Sequence, residues 1–248
     1  MSALTLVMAG GRGERSRRSN GPTPKPLLPV LGIPLLERNL KMLLRQGLRD
    51  VVVSVPGSIP EIKEFALTRG RDLIEAAGGV LDIIEEIEPR GNIGCAAELR
   101  GRADTVLVIL ADNLTTLDLR LFLAAHWSSG AMVTLATHME SFRSPYGELD
   151  VAGGRVAAYR EKPRRSVLIC SGICALTAEA LEAIRTDEPV GMSGLVQTLI
   201  GHGEFVAEYR HQAPWVDVND AEALMRAEAL VAKHWDQFEC EGSCPPAS

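Results

Sequence analysis

A lysine locked between two prolines, a glycine-rich turn and two aspartates closing apolar runs hold most of the chemistry this sequence offers. The turn is Gly10-Gly11-Arg12-Gly13-Glu14-Arg15, entered directly from the apolar run Leu4-Thr5-Leu6-Val7-Met8-Ala9. Glycines at a strand end leave backbone N–H groups open to a polyphosphate. Arg12, Arg15 and Lys25 add the charge needed to hold one. Lys25 lies in Thr23-Pro24-Lys25-Pro26, where two residues of fixed φ extend the segment at small entropic cost. Gly-Gly-x-Gly is neither the dinucleotide fingerprint nor a Walker A loop, because no Gly-Lys-Ser/Thr closes it. An ordinary positive-φ turn would use the same glycines, and it is the coupling to Lys25 that favours a nucleotide site.

Asp112 follows the apolar run Thr105–Leu110 after one alanine, and Asp217 closes Pro214-Trp215-Val216 just before a helix-forming stretch. Carboxylates at the carboxyl ends of parallel strands border the ligand crevice and can hold Mg²⁺ and, through it, phosphate oxygens. Either aspartate alone would equally serve as a turn or helix-entry residue. A third block runs Pro145-Tyr146-Gly147-Glu148, then Gly154 to Tyr159-Arg160-Glu161-Lys162-Pro163. There Glu161 can accept from sugar hydroxyls and Lys162 can meet a phosphate, although a solvated hairpin end has the same composition.

The segment 10–30, continuing as Lys25-Pro26-Leu27-Leu28-Pro29-Val30, resembles the sugar-phosphate nucleotidylyltransferases. Those proteins carry Gly-Gly-x-Gly-Thr-Arg-Leu followed by Pro-Lys-Pro-Leu-x-Pro-Val; this chain departs at Glu14 and Ser16. Leu110-Ala111-Asp112, Trp215-Val216-Asp217-Val218, the Tyr-Gly … Glu-Lys-Pro block and Ser171-Gly172-Ile173 are similar to later family motifs in the correct order. The resemblance implies attack of a sugar 1-phosphate on the α-phosphorus of a nucleoside triphosphate, with release of pyrophosphate. It implies catalytic roles for Arg15 and Lys25, and Mg²⁺ held by Asp112 and Asp217. Nucleotide contacts would come from Met8, Ala9, Gly10, Gly11, Gly13, Glu88, Gly91 and Asp112. Sugar-phosphate contacts would come from Tyr146, Gly147, Glu161, Lys162, Ser171 and Gly172.

Glu88-Pro89-Arg90-Gly91 occupies the place of the family's base-contacting loop. A carboxylate there can accept from guanine N1–H and N2–H, which favours GTP over UTP or dTTP. The sugar is not legible beyond a hexose- or heptose-type 1-phosphate. An inactive regulatory module is the rival reading, opposed by Arg15, Lys25, Asp112, Lys162 and Asp217. A glycosyltransferase would use Asp-x-Asp, and Asp112-Asn113-Leu114 is not one.

These residues need a scaffold, and apolar runs alternating with amphipathic stretches supply it. Strands are expected at Leu4–Met8, Asp50–Val55, Val80–Glu85, Thr105–Leu110 and Met132–His138. Helices are expected at Leu35–Gln46, Ile59–Gly70 and Leu117–Ser128. Short strands follow at Gly147–Val151, Arg155–Glu161 and Leu168–Ala175, then helices at Ala178–Arg185 and Ala221–His234. The series predicts an α/β, Rossmann-like three-layer αβα fold with a mixed, mostly parallel sheet. One domain, 1–235, is expected, its N-terminal half for nucleotide and its C-terminal half for sugar phosphate, with a flexible tail at 236–248.

The 248 residues, 46% hydrophobic and 23% charged, suit a globular chain, and a net charge of −6 argues against a nucleic-acid partner. Residues 4–9 are too short for a signal peptide and no run approaches a membrane span, so a cytoplasmic protein is expected. Cys170 and Cys174 are expected to share one buried strand face, and Cys240 and Cys244 to lie reduced in the tail. With only that tail after the last helix, a monofunctional enzyme is expected, with a homo-oligomer left open.

Overall fold

β-Branched runs such as Val51–Val55 have no polar face, so they fit the interior of a sheet covered on both sides. The computed structural model describes residues 3–10 and 21–239. Its strands are β1 Ala3–Met8, β2 Pro29–Val30, β3 Ile33–Pro34, β4 Asp50–Pro56, β5 Val80–Glu86, β6 Thr105–Leu110 and β7 Asn113–Thr115. Then come β8 Val133–Arg143, β9 Glu148–Ala152, β10 Arg155–Arg160, β11 Arg164–Thr177, β12 Val206–Arg210 and β13 Trp215–Asp217. Helices are α1 Leu35–Arg45, α2 Pro60–Phe65, α3 Arg71–Ala76, α4 Leu119–Ser129, α5 Ala178–Glu182, α6 Met192–Gly201, α7 Ala221–Lys233 and α8 Trp235–Phe238.

The main sheet has the order β12-β8-β11-β6-β1-β4-β5. Only β11 runs antiparallel to its neighbours. Side chains alternate along β1: Val7 packs with Leu36 and Leu40 of α1 and Phe122 of α4, while Leu6 and Met8 join Leu181 of α5 and Leu195 of α6. Two apolar layers thus flank one sheet, giving the expected three-layer fold.

Several boundaries differ from the sequence expectations. Helix 59–70 continues to Ala76 through a π turn at Ala66–Gly70. There Gly70 sits tight against Leu40 of α1. Asp118 accepts from the backbone of Arg120 and Leu121 and so starts α4 later than residue 117. Strands β8 and β11 extend well beyond the buried sheet, forming a long arm that carries the β9–β10 hairpin. The bulge at residues 171–173 breaks side-chain alternation, so Cys174 is buried while Cys170 is exposed. Helix α6 and strand β12 were not anticipated.

Residues 236–239, placed by sequence at the start of a tail, are fastened to the body. Arg38 of α1 is 1% exposed; its Nε and Nη2 donate to Val30 O at 3.1 and 2.6 Å, and its Nη1 to Glu239 Oε1 at 2.6 Å. This cation therefore ties the β2–β3 turn to the end of α8. Arg38→Ala is expected to cost about 3–5 kcal/mol in urea unfolding, because it strips Val30 O of its donor and leaves the buried Glu239 carboxylate with only Lys41, 3.7 Å from Oε2. A loss below about 1 kcal/mol would show that Arg38 does not hold this junction. Cys240 and Cys244 lie outside the described residues. No helix among those described is long and apolar enough to cross a membrane.

Candidate functional site

Pro24 and Pro26 turn the chain so that Lys25 opens a 3-10 turn, Lys25–Leu27, with Pro26 buried beneath it. The lysine side chain is only 12% exposed. Its Nζ donates to Asp112 Oδ2 at 2.5 Å, to Asn219 Oδ1 at 2.5 Å and to Asp217 Oδ1 at 3.4 Å. Three segments distant in sequence therefore meet on one ammonium.

Asp112 arrives there because Ala111 N bonds Met8 O at 3.0 Å, which holds the end of β6 against the end of β1. Asp217 arrives through the small sheet β7–β13, in which it pairs with Asn113. Val218 N closes onto Asp112 O at 3.0 Å. Helix entry is left to Asp220, whose side chain accepts from Ala223 N at 2.8 Å. Burial first, then the charge of Asp112, holds the Asp217 carboxyl above the usual aspartate range; Lys25 and Asn219 pull the other way. Asp112 Oδ1 is buried and has no hydrogen-bond partner among the described residues.

At the end of β1, Met8 and Ala9 are buried and Gly10 follows. Gly11, Gly13 and Arg15, with Arg12 and Glu14, lie outside the described residues. Glu88 is exposed, whereas Glu86 is 4% exposed and points towards Gly10. Its Oε1 pairs with Ser54 Oγ and its Oε2 accepts from Arg90 N at 3.1 Å. A Cβ on Gly10 would overlap Glu86 Oε1, so only glycine lets that carboxylate pack there. Gly91, at φ +82°, lies against the backbone of Val190. Cys95, beside Met8, has its thiol pushed up to about 12 by burial and then by Glu86, so it supplies no thiolate nucleophile.

Residues 4–234 match the model of the family described as nucleotidyl transferase. The chain belongs to the nucleotidyl transferase family. A UTP–glucose-1-phosphate uridylyltransferase of Synechocystis sp. is 25% identical, over 86% of this chain and 59% of its own length. A glucose-1-phosphate cytidylyltransferase of Salmonella typhimurium is 22% identical, over 92% of this chain and 95% of its own. The chain thus spans less than two thirds of the first relative but nearly all of the second. The solved structure of HddC from Yersinia pseudotuberculosis complexed with GMP-PN shares the fold, with TM-score 0.71 and 23% identity over 92% of this chain and 99% of that one.

This nucleotidyl transferase chain suits the divalent metal that the family generally uses. Two hard carboxylates face each other across Lys25, and Asp112 Oδ1 has no hydrogen-bond partner among the described residues. A small octahedral cation bound by one or two carboxylates plus substrate phosphates asks for little more.

On the other side of the carboxylates, Ser171 and Gly172 adjoin Asn113, whose Nδ2 donates to Ser171 O at 2.7 Å. Gly172 has φ +72°, and a Cβ there would overlap Asn113 Nδ2. Tyr146, Gly147, Glu161 and Lys162 lie at the far end of the arm. Gly147 packs on Tyr159, whose hydroxyl donates to Glu161 Oε2 at 2.9 Å. Strand rise puts Arg164 roughly 20 Å along the arm from Cys170. A cavity of about 620 Å³ lies between the arm and α7; Glu140, Phe142, Arg143, Trp215, Asp217 and Arg226 are among the residues lining it.

Sequence reasoning passed over Asn219 and Glu86. Asn219 stands two residues after Asp217, a spacing that returns a side chain to the same face of an extended segment. Glu86 likewise follows the buried Ile84 by two.

Proposed function

We propose that this chain transfers a nucleoside monophosphate from GTP to a hexose- or heptose-type 1-phosphate, forming a nucleotide sugar and pyrophosphate. The observation that carries the reading is the convergence of Lys25 with Asp112, Asp217 and Asn219 at the carboxyl ends of β1 and β6.

The attacking sugar phosphate is already ionised, so no protein nucleophile or base is required. Catalysis is positioning together with neutralisation of charge at the α-phosphate. In this reading Lys25 Nζ leaves its carboxylates to meet the α-phosphoryl oxygens, where its charge counts most. Arg15 holds the β- and γ-phosphates, and Gly10, Gly11 and Gly13 receive the triphosphate on backbone N–H groups. Mg²⁺, held by Asp112 and Asp217, would neutralise triphosphate oxygens and orient them for in-line displacement. The cavity beside Trp215 and Asp217 has room for the sugar, and Ser171 and Gly172 border the same carboxylates. Tyr146, Gly147, Glu161 and Lys162 stand farther out along the arm whose base lines this cavity, and the role of Lys162 at the sugar phosphate rests on the family motif.

For the base, Glu88 is the group that reads guanine: its carboxylate is exposed and open to a ligand, while Glu86, bonded to Ser54 and the Arg90 amide, holds the segment that leads to the loop. The Glu88 oxygens can accept from N1–H and N2–H, a pair that uracil and thymine do not present. Glu88→Gln is expected to lower kcat/KM for GTP by about 10–100-fold, as for one lost charged hydrogen bond, with a smaller change for UTP. Equal losses with both nucleotides would remove Glu88 from base selection. A thermal-shift screen of GTP, UTP, dTTP, CTP and ATP with Mg²⁺ tests the nucleotide directly. GTP at 100 times its Kd is expected to add about 2.7 kcal/mol of stability. A larger shift with a pyrimidine nucleotide would overturn the guanine reading.

A further inference from the structure

Ser171 is completely buried and its hydroxyl is gripped from both sides. Its Oγ lies 2.8 Å from His138 Nδ1 and 2.8 Å from His211 Nε2, and both rings are at least nine-tenths buried. The three residues come from neighbouring strands of the sheet: β8, β11 and the residue that follows β12. A serine hydroxyl has one proton, so it donates to one ring and must accept from the other. Two bonds of opposite sense therefore fix the Ser171 rotamer and the bulge that carries it.

The carbonyl of the same residue faces the carboxylates. Ser171 O accepts from Asn113 Nδ2 at 2.7 Å and from Trp215 Nε1 at 2.8 Å. Asn113 is the residue after Asp112, and Trp215 stands two before Asp217 on one strand. The Trp215 ring also lies against His138, with centroids 4.5 Å apart. The β7–β13 sheet that presents Asp217 has only three residue pairs. An isolated two-stranded ribbon is marginal in water, so its placement depends on such anchors. One carbonyl thus ties both carboxylate-bearing strands to the main sheet.

We propose that Ser171, clamped by His138 and His211, is a positioning residue that sets the spacing of Asp112 and Asp217 for their divalent cation. The inference rests on the reading that these two aspartates hold the metal. A satisfied polar cluster in a core would stabilise the fold without directing its remaining bonds to those two strands.

Mn²⁺ binding to the full chain without substrates, followed by loss of the free-ion EPR signal, tests this. Ser171→Ala is expected to weaken binding about tenfold, as for other groups that orient metal ligands. His211→Ala should do the same. His211→Gln, whose amide can take the place of Nε2, should stay within about threefold of wild type, roughly half a hydrogen bond's worth. A folded Ser171→Ala variant with unchanged affinity would overturn the proposal, as would equal losses in His211→Gln and His211→Ala. If Ser171→Ala does not fold, Trp215→Phe keeps an aromatic ring against His138 while removing the indole N–H donor together with the pyrrole half of the ring. It should then weaken binding about fivefold, and unchanged affinity there would overturn the proposal too. Asp217→Asn separates the two levels of the argument. If it abolishes Mn²⁺ binding while Ser171→Ala has no effect, only the positioning role fails. If Asp217→Asn has no effect either, the metal assignment fails with it.

Discussion

Lys25→Ala is expected to lower turnover by about 10²–10³-fold, the effect of losing one preorganised donor to a charged transition state. The lysine is 12% exposed and bridges two carboxylates and an amide oxygen. Its backbone is fixed by Pro24 and Pro26, so only the side chain has to swing from its carboxylates when substrate arrives. Because the lost interaction belongs to the transition state, kcat should fall while KM for both substrates changes little. Lys25→Arg should not restore the rate, since a planar fork does not reproduce a compact ammonium within this cluster. Steady-state kinetics of the two variants check this. Activity within about threefold of wild type would leave none of the expected barrier effect and would remove Lys25 from the mechanism.

Asp112→Ala is expected to abolish divalent-cation-dependent turnover. One of its oxygens meets Lys25 at 2.5 Å, and the other is buried without a hydrogen-bond partner among the described residues. A buried lone pair left open is costly unless a cation or proton fills it during the working cycle. The substitution therefore removes both a metal ligand and the shorter of the two carboxylate contacts that hold Lys25. Asp217→Ala should follow the same course, because Asp217 supplies the second carboxylate, paired across β7–β13 with the residue after Asp112 and 3.4 Å from Lys25 Nζ. A titration of turnover against Mg²⁺ separates the outcomes. Turnover that still responds to the cation with unchanged affinity would withdraw Asp112 from the metal site.

Much of this arrangement was legible in the sequence. Apolar runs such as Val51–Val55 and Thr105–Leu110 admit no surface position, so they specified the sheet, and Asp112 and Asp217 were visible as polar stops. The extent of the arm was not legible, because β8 and β11 continue past the body with both faces exposed, and no hydrophobic alternation marks their ends. The buried role of Glu86 was not legible because it stands with Glu85 and Glu88 in one acidic run, and only the register of β5 turns it inward. The trio His138, Ser171 and His211 was invisible for a different reason. Its members are joined by the strand order β12-β8-β11, which local pattern does not reveal. Residues 236–239 were read as tail from the polar composition around them, while the buried guanidinium of Arg38, far back in the chain, is what holds Glu239.

Pyrophosphate release reads the nucleotidyl transfer itself. The full chain, Mg²⁺ and GTP are combined with a panel of hexose and heptose 1-phosphates. Pyrophosphate is expected to appear in proportion to a GDP-sugar product, only when both substrates are present, and to be lost in Lys25→Ala. No release with GTP or with any of UTP, dTTP, CTP and ATP, from a folded chain that binds nucleotide, would contradict the account.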